Sequence, residues 1–131
     1  TPNLPEAESL TGQEERSIEY AKSLVQALLD MGPQAVLLKG GHRGGATVID
    51  LLVSASGSKQ IFESKRIPTV NTHGTGCTLA SSIATGLAQG IDIQGSVSRA
   101  RDYVLEAIRT APGYGNGFGP LNHGHTVSKF G

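Results

Sequence analysis

Asn71-Thr72-His73-Gly74-Thr75-Gly76-Cys77-Thr78 is the stretch whose residue types and order bear most directly on chemistry. It is a polar turn with two glycines that runs straight into a segment of small residues at helical spacing. A helix N-terminus presents about four unpaired N–H groups and the positive end of the helix dipole, and glycine there lets the backbone close around an anion. The chemistry this suggests is phosphate binding, with the Cys77 thiol in the first turn facing the same anion. The same residues also read as an ordinary helix N-cap over a buried cysteine.

Other side chains join this stretch as candidates. Lys39 follows the apolar run Ala35 to Leu38 and precedes Gly40-Gly41. A cation just beyond the carboxyl end of a strand sits where open α/β sheets bind ligands, although a solvated loop lysine fits the same spacing. Asn3 and Glu6 flank Pro5, the spacing of an N-cap and a first-turn acid. His123-Gly124-His125, taken with His73 or Cys77, contains donor types that suit zinc, but His-x-His alone is common. Cys77 with His73 also reads as a thiol hydrolase pair, and His42 as a loop residue. Two familiar phosphate loops are excluded by inspection: Gly40 to Gly45 has Walker A spacing, but Ala46 stands where the lysine is required. A Gly-x-Gly-x-x-Gly fingerprint fails as well, because its last glycine falls on Phe118 or Pro120.

Four motifs in order, Thr-Pro-Asn-Leu-Pro-Glu-Ala-Glu at 1–8, Val-Leu-Leu-Lys-Gly-Gly-His at 36–42, Asn-Thr-His-Gly-Thr-Gly-Cys-Thr at 71–78 and Gly-Pro-Leu-Asn-His at 119–123, resemble the hydroxymethylpyrimidine/phosphomethylpyrimidine kinases of thiamine biosynthesis. The resemblance covers nearly the whole chain and only the C-terminal half of that family. It implies a single domain portion over 1–131, belonging to a ribokinase-like three-layer α/β/α fold with a mostly parallel sheet and flanking helices. It also implies that the N-terminal half, with most of the pyrimidine pocket, is missing from this chain. By the resemblance, Cys77 matches the catalytic base, and the N–H groups of Gly74, Thr75, Gly76 and Cys77 match the anion hole. Asn3, Lys39 and Thr72 match nucleotide-binding positions, and Glu6 matches an acid that organises Mg²⁺. ATP and Mg²⁺ are the implied cofactors and a hydroxymethyl aminopyrimidine the implied substrate. ATP is expected along Lys39, the 74–77 turn and the Gly113 to Gly119 loop. Such roles are coherent, because phosphoryl transfer needs alignment and charge neutralisation more than covalent chemistry. A pyridoxal kinase of the same fold is the alternative enzyme. A nucleotide-binding fragment without catalysis is the alternative of a different class.

These residues need elements to hold them. Glu14 to Met31 predicts a helix, with Ile18, Ala21, Val25, Leu28 and Leu29 on one face and Gly32-Pro33 as its stop. Ala35 to Leu38 predicts a short buried parallel strand. Thr47 to Val53 and Lys59 to Glu63 predict strands at a sheet edge, turned at Ser54 to Ser58. Leu79, Ile83 and Leu87 with Ala80, Ala84 and Ala88 predict a helix from Gly74 to Gly90. A further helix is expected over about 96–111, its apolar face formed by Val97, Ala100, Val104, Ala107 and Ile108. The tail from Pro112 to Gly131 is expected to be mostly loop. Helix followed by strand is α/β grammar.

Composition narrows the partners. Eighteen glycines in 131 residues is about 14%, roughly twice the usual share, and they cluster beside the predicted strand and helix ends. Equal numbers of basic and acidic residues, 11 each, leave no field to hold a polyanion, so no nucleic acid is expected. Apolar runs of a few residues fall far short of the roughly 20 that span a bilayer, so no membrane is expected either. One cysteine suits a free thiol in a reducing compartment, which makes the cytoplasm the expected location. The start without Met reads as that of a fragment, and a homo-oligomer is allowed.

Overall fold

Val36, Leu37 and Leu38 form an unbroken apolar run of residues suited to a half-buried pleat, and they build the first strand, β1 (Ala35–Leu38), each less than a tenth exposed. The computed structural model describes residues 1–13, 18–41 and 44–127. Within it the chain divides into two compact units, Thr1–Arg66 and Ile67–Gly131. Among the described residues no helix is long and apolar enough to cross a membrane.

In the first unit, α1 (Leu4–Thr11) opens at Asn3 and closes at the left-handed Gly12. Next comes α2 (Ile18–Leu29). The expected helix start at Glu14 to Ser17 lies outside the described residues. Leu24, Val25 and Leu28 of α2 pack with Leu4 and Ala7 of α1 against Val36, Leu38 and Val53. Leu24, outside the set of residues expected on this face, is fully buried. Strands β2 (Thr47–Ser54) and β3 (Lys59–Lys65) run slightly beyond their expected ends.

The expectation of a mostly parallel sheet does not describe these three strands. Their order is β1-β2-β3 and both pairs are antiparallel, with Leu37 opposite Leu52 and Leu51 opposite Ile61. Connection length decides this: the 39–46 and 55–58 links are shorter than the dozen or so residues a parallel crossover requires. Parallel pairing among the described residues is confined to two isolated bridges, one of which joins Asn3 to Lys39 in this unit. Alternation also places Asp50 on a buried face, where its Oδ1 accepts the Gly40 N–H at 2.9 Å.

In the second unit, α3 (Thr75–Ala88) packs against α4 (Ile93–Arg109). Leu79, Ile83 and Gly86 form the buried stripe of α3, whereas Leu87, expected on it, is 46% exposed. At about 100° per residue Gly86 falls within about 20° of Leu79 around the axis and Leu87 about 80° away, so the stripe passes through the glycine. Helix α4 begins earlier than expected because Asp92 caps it, its Oδ1 accepting the Gly95 N–H at 2.7 Å. The tail from 112 is irregular, as its composition predicts, but it is anchored. Leu121 is buried, and the Asn122 N–H bonds the Ala107 carbonyl at 3.0 Å. Its last residues, 128–131, lie outside the described residues.

Candidate active site

Gly74 holds φ 86°, the left-handed backbone that L side chains rarely adopt, and this turns the chain from Thr72-His73 into the first turn of α3. Among the described residues no side chain caps that turn. The Thr75 hydroxyl folds back to the Thr72 carbonyl at 2.8 Å, and the Thr78 hydroxyl to the Gly74 carbonyl at 2.8 Å. Both hydroxyls are therefore spent on carbonyls, the Thr75 N–H also bonds the Thr72 carbonyl at 3.3 Å, and among the described residues no side chain accepts from the first-turn N–H groups. Cys77 is a free, exposed thiol in this turn, which corrects the alternative of a buried capping cysteine. Thr72 and His73 are exposed beside it.

Cys77 opens an open groove of about 360 Å³, lined also by Thr78, Ser81, Ser82, Thr85, Tyr103 and His123. The hydroxyl residues of α3 occupy an arc of about 140° around the helix, starting at Cys77 and pointing away from the buried stripe. The signal is present in the sequence, since 77, 78, 81, 82 and 85 recur at helical spacing within the small-residue helix. Tyr103 and His123 have no local signal as groove residues: the packing of α4 on α3 brings the first there and the folded tail the second. The Tyr103 hydroxyl donates to the His123 carbonyl at 2.9 Å, and the His125 ring lies 4.5 Å from the Tyr103 ring. His125 Nε2 also lies 3.1 Å from the Tyr103 carbonyl oxygen. The tail is tied to the turn itself: the His73 N–H bonds the Gly119 carbonyl at 3.2 Å, and His73 bridges Pro120 in parallel. At the end of α4, Arg109 forks the Glu106 carboxylate, and that hydrogen bond holds its carboxyl below the ordinary range.

The remaining candidates lie in the first unit. Asn3 and Glu6 form a capping box: Asn3 Oδ1 accepts the Glu6 N–H at 2.8 Å, and Glu6 Oε2 accepts the Asn3 N–H at 2.8 Å. The structural alternative for this pair is thus realised, while Glu6 stays exposed. Lys39 is half-buried, and its N–H bonds the Pro2 carbonyl at 2.9 Å, which places Asn3 and Lys39 side by side. The loop after Lys39 is held by Arg66, whose Nε and Nη1 donate to Gly45 and Gly41 carbonyls at 2.8 and 2.9 Å. His42 lies outside the described residues. Among the described residues no three His, Cys, Asp or Glu side chains gather to hold a metal, and Cys77 and His73 share no hydrogen bond. Neither the zinc arrangement nor the thiol hydrolase pair is assembled.

Comparison with known proteins adds the following. The sequence model of the phosphomethylpyrimidine kinase family matches residues 1–122. The thiamine biosynthesis bifunctional protein ThiED of Geobacter sulfurreducens is 46% identical over 123 residues, 94% of this chain and 25% of that protein. The hydroxymethylpyrimidine/phosphomethylpyrimidine kinase of Bacillus subtilis is 41% identical over 124 residues, 94% of this chain and 45% of that protein. Among solved structures, the pyridoxal kinase of Staphylococcus aureus in complex with AMP-PCP superposes with a TM-score of 0.87 at 29% identity, over 98% of this chain and 47% of that one. The chain therefore spans between a quarter and about half of the proteins it matches.

Proposed function

The chain belongs to the phosphomethylpyrimidine kinase family, and on that premise we propose that the complete protein transfers the γ-phosphoryl group of ATP to 4-amino-5-hydroxymethyl-2-methylpyrimidine and to its monophosphate, in thiamine biosynthesis. The observation that carries the reading is the start of α3, with its left-handed Gly74, uncapped first turn and exposed Cys77 opening onto a hydroxyl-lined groove. In this reading, residues 1–131 form the C-terminal part of one ribokinase-like domain, whose complete sheet is mostly parallel and covered by helices on both faces. The location is the cytoplasm.

Each candidate then has a task. Cys77 accepts the proton of the substrate hydroxyl as its oxygen attacks the γ-phosphorus and the bond to the bridging oxygen of ADP breaks. The N–H groups of Gly74, Thr75, Gly76 and Cys77 hold the equatorial oxygens of the transferring group, where charge builds up in the transition state. Lys39, Asn3 and Thr72 serve the nucleotide. Mg²⁺ is commonly held by one or two carboxylates together with phosphate oxygens and water. The single exposed carboxylate of Glu6, with Oε2 occupied by the Asn3 N–H, fits that donor set and no richer one. When bound, the ion neutralises phosphate charge. The capping box makes the test of Glu6 clean, because glutamine keeps the N3 acceptor and removes the charge. Glu6→Gln is expected to leave thermal stability unchanged and to shift the Mg²⁺ dependence of the full-length enzyme to higher concentration. An unaltered Mg²⁺ titration would take Glu6 away from the metal.

The structural likeness to a pyridoxal kinase at a TM-score of 0.87 favours a second substrate, pyridoxal, which also carries a hydroxymethyl group on a flat heteroaromatic ring. The 41–46% identities to thiamine-pathway proteins outweigh it. Steady-state assays of the full-length protein with ATP decide between them. A kcat/KM for the pyrimidine at least about tenfold above that for pyridoxal is expected, equivalent to about 1.4 kcal/mol of differential transition-state binding. The reverse ratio would make the protein a pyridoxal kinase, and turnover of neither would remove the kinase reading. Residues 1–131 alone are expected to bind nucleotide weakly without turnover, since positioning the acceptor needs the missing half.

A further inference from the structure

Glycine at 119 is required by space and not by backbone conformation. It lacks the positive φ of Gly113 and Gly115. Yet a Cβ built on it would fall deep inside the van der Waals radius of Asn71 Oδ1, 3.0 Å from Asn71 Cγ and 3.3 Å from the Tyr114 carbonyl oxygen. At the other end of the same loop, the Gly113 Cβ position lies 3.9 Å from Asn71 Nδ2. The half-buried amide of Asn71 therefore sits as a wedge between the two ends of the 113–119 loop. An asparagine in a turn ordinarily accepts the N–H two residues on. Here that N–H, of His73, goes to the Gly119 carbonyl at 3.2 Å, and His73 bridges Pro120. Beyond this point the chain is fastened to α4, with the Asn122 N–H on the Ala107 carbonyl at 3.0 Å and Asn122 Nδ2 on Thr110 Oγ1 at 3.2 Å. Tyr114 and Phe118 stand 71% and 77% exposed on the loop, rings of the kind on which a nucleobase stacks.

We propose that Asn71 is a positioning residue for phosphoryl transfer. Its side chain sets the 113–119 loop against the start of α3, so that the part of ATP along the loop and the phosphates at the first-turn N–H groups keep one register. The proposal rests on the kinase reading above. Asn71 acts through the loop and not on the reacting atoms. The loop needs such a clasp because four of its seven residues are glycine, which has the most conformational freedom to lose on ordering. A nucleotide that meets an unclasped loop must order it, which weakens apparent affinity, whereas a clasped loop is ordered beforehand. The acceptor hydroxyl meets ATP at its other end, beside Cys77, so acceptor binding does not draw on the loop.

Kinetics and amide exchange of the full-length protein test this with Asn71→Ala, Gly119→Ala and the double variant. The Asn71 side chain can swing about χ1, so alanine at 119 pushes the wedge out at little cost in stability, and the two single variants break the same contact. Each is expected to raise KM for ATP by about fivefold or more, with KM for the pyrimidine within about twofold of wild type. Melting temperatures should stay within about 3 °C. The double variant should be no more than about twofold worse than the worse single, as two residues sharing one contact are not additive. Without nucleotide, Asn71→Ala should quicken exchange of the 113–119 amides by about tenfold while α4 keeps its wild-type rates. An unchanged KM for ATP in both single variants would overturn the proposal, and so would effects that multiply in the double or exchange at 113–119 that does not move. A lowered melting temperature with both KM values rising together would make Asn71 a packing residue and overturn it as well. Failure of the kinase reading looks different: wild-type protein would be inert with ATP and both acceptors, and this proposal would fall with it.

Discussion

Replacing Cys77 with alanine in the full-length protein is expected to lower kcat for pyrimidine phosphorylation by about 10² to 10⁴, the usual loss for a positioned general base, while nucleotide affinity changes by less than about threefold. The separation is expected because Cys77 is exposed on the groove side of α3, whereas Leu79, Ile83 and Gly86 carry the packing against α4. Thermal stability should therefore not move with activity. Cys77→Ser should be almost as damaging, since a neutral hydroxyl is a far weaker base than a thiolate, even though it matches the thiol in shape. Single-turnover rates with saturating ATP give the cleanest reading. If both variants kept more than about a third of wild-type kcat, the thiol would be a helix-surface residue and the proton would have to leave by another route, such as water.

Gly40→Ala is expected to cost about 2 to 4 kcal/mol of stability, combining overpacking with the weakening of a hydrogen bond to a buried carboxylate. A Cβ built on Gly40 falls deep inside the van der Waals radius of the Ile49 carbonyl oxygen and only 3.0 Å from the carbonyl carbon. Backbone cannot rotate aside as a long side chain can, so the end of β1 must move away from β2. That motion strains the 2.9 Å bond from the Gly40 N–H to Asp50, and it displaces Lys39, whose N–H is fixed to the Pro2 carbonyl. The KM for ATP should rise alongside the loss of stability if Lys39 serves the nucleotide. Gly41→Ala is the matched control: among the described residues nothing lies within 4 Å of its Cβ position, and a change within about 0.5 kcal/mol is expected. Chemical denaturation of the two variants checks the pair, and equal midpoints would show that the close approach at Gly40 does not constrain the fold.

Much of the second unit was legible in residue order alone. Periodicity located α3 and α4, and the polar glycine turn at 71–78 marked where α3 begins. Both signals are local: a helix satisfies its own backbone, and Gly74 is needed where φ is positive whatever lies around it. The Asn3 to Glu6 spacing was legible for the same reason, as a capping box closes within three residues. Strand positions were readable too, since Val36 to Leu38 is buried by composition and the β2–β3 turn is short.

Direction and partnership were not readable in the same way. That β1 and β2 pair antiparallel depends on which segments meet, and an apolar run has the same look in either kind of sheet. The place of Asp50, an acid facing inward to receive the Gly40 N–H, follows from the register of β2 against its neighbours. Likewise the arrival of Tyr103 and His123 beside Cys77 comes from the folding of α4 and the tail back onto α3. The sequence by itself determined the chemistry available at the start of α3, because residue type and local backbone fix which atoms are presented there. Tertiary structure alone decided which distant groups share that groove and in which direction neighbouring strands run, because those contacts join segments whose separation along the chain carries no local signal.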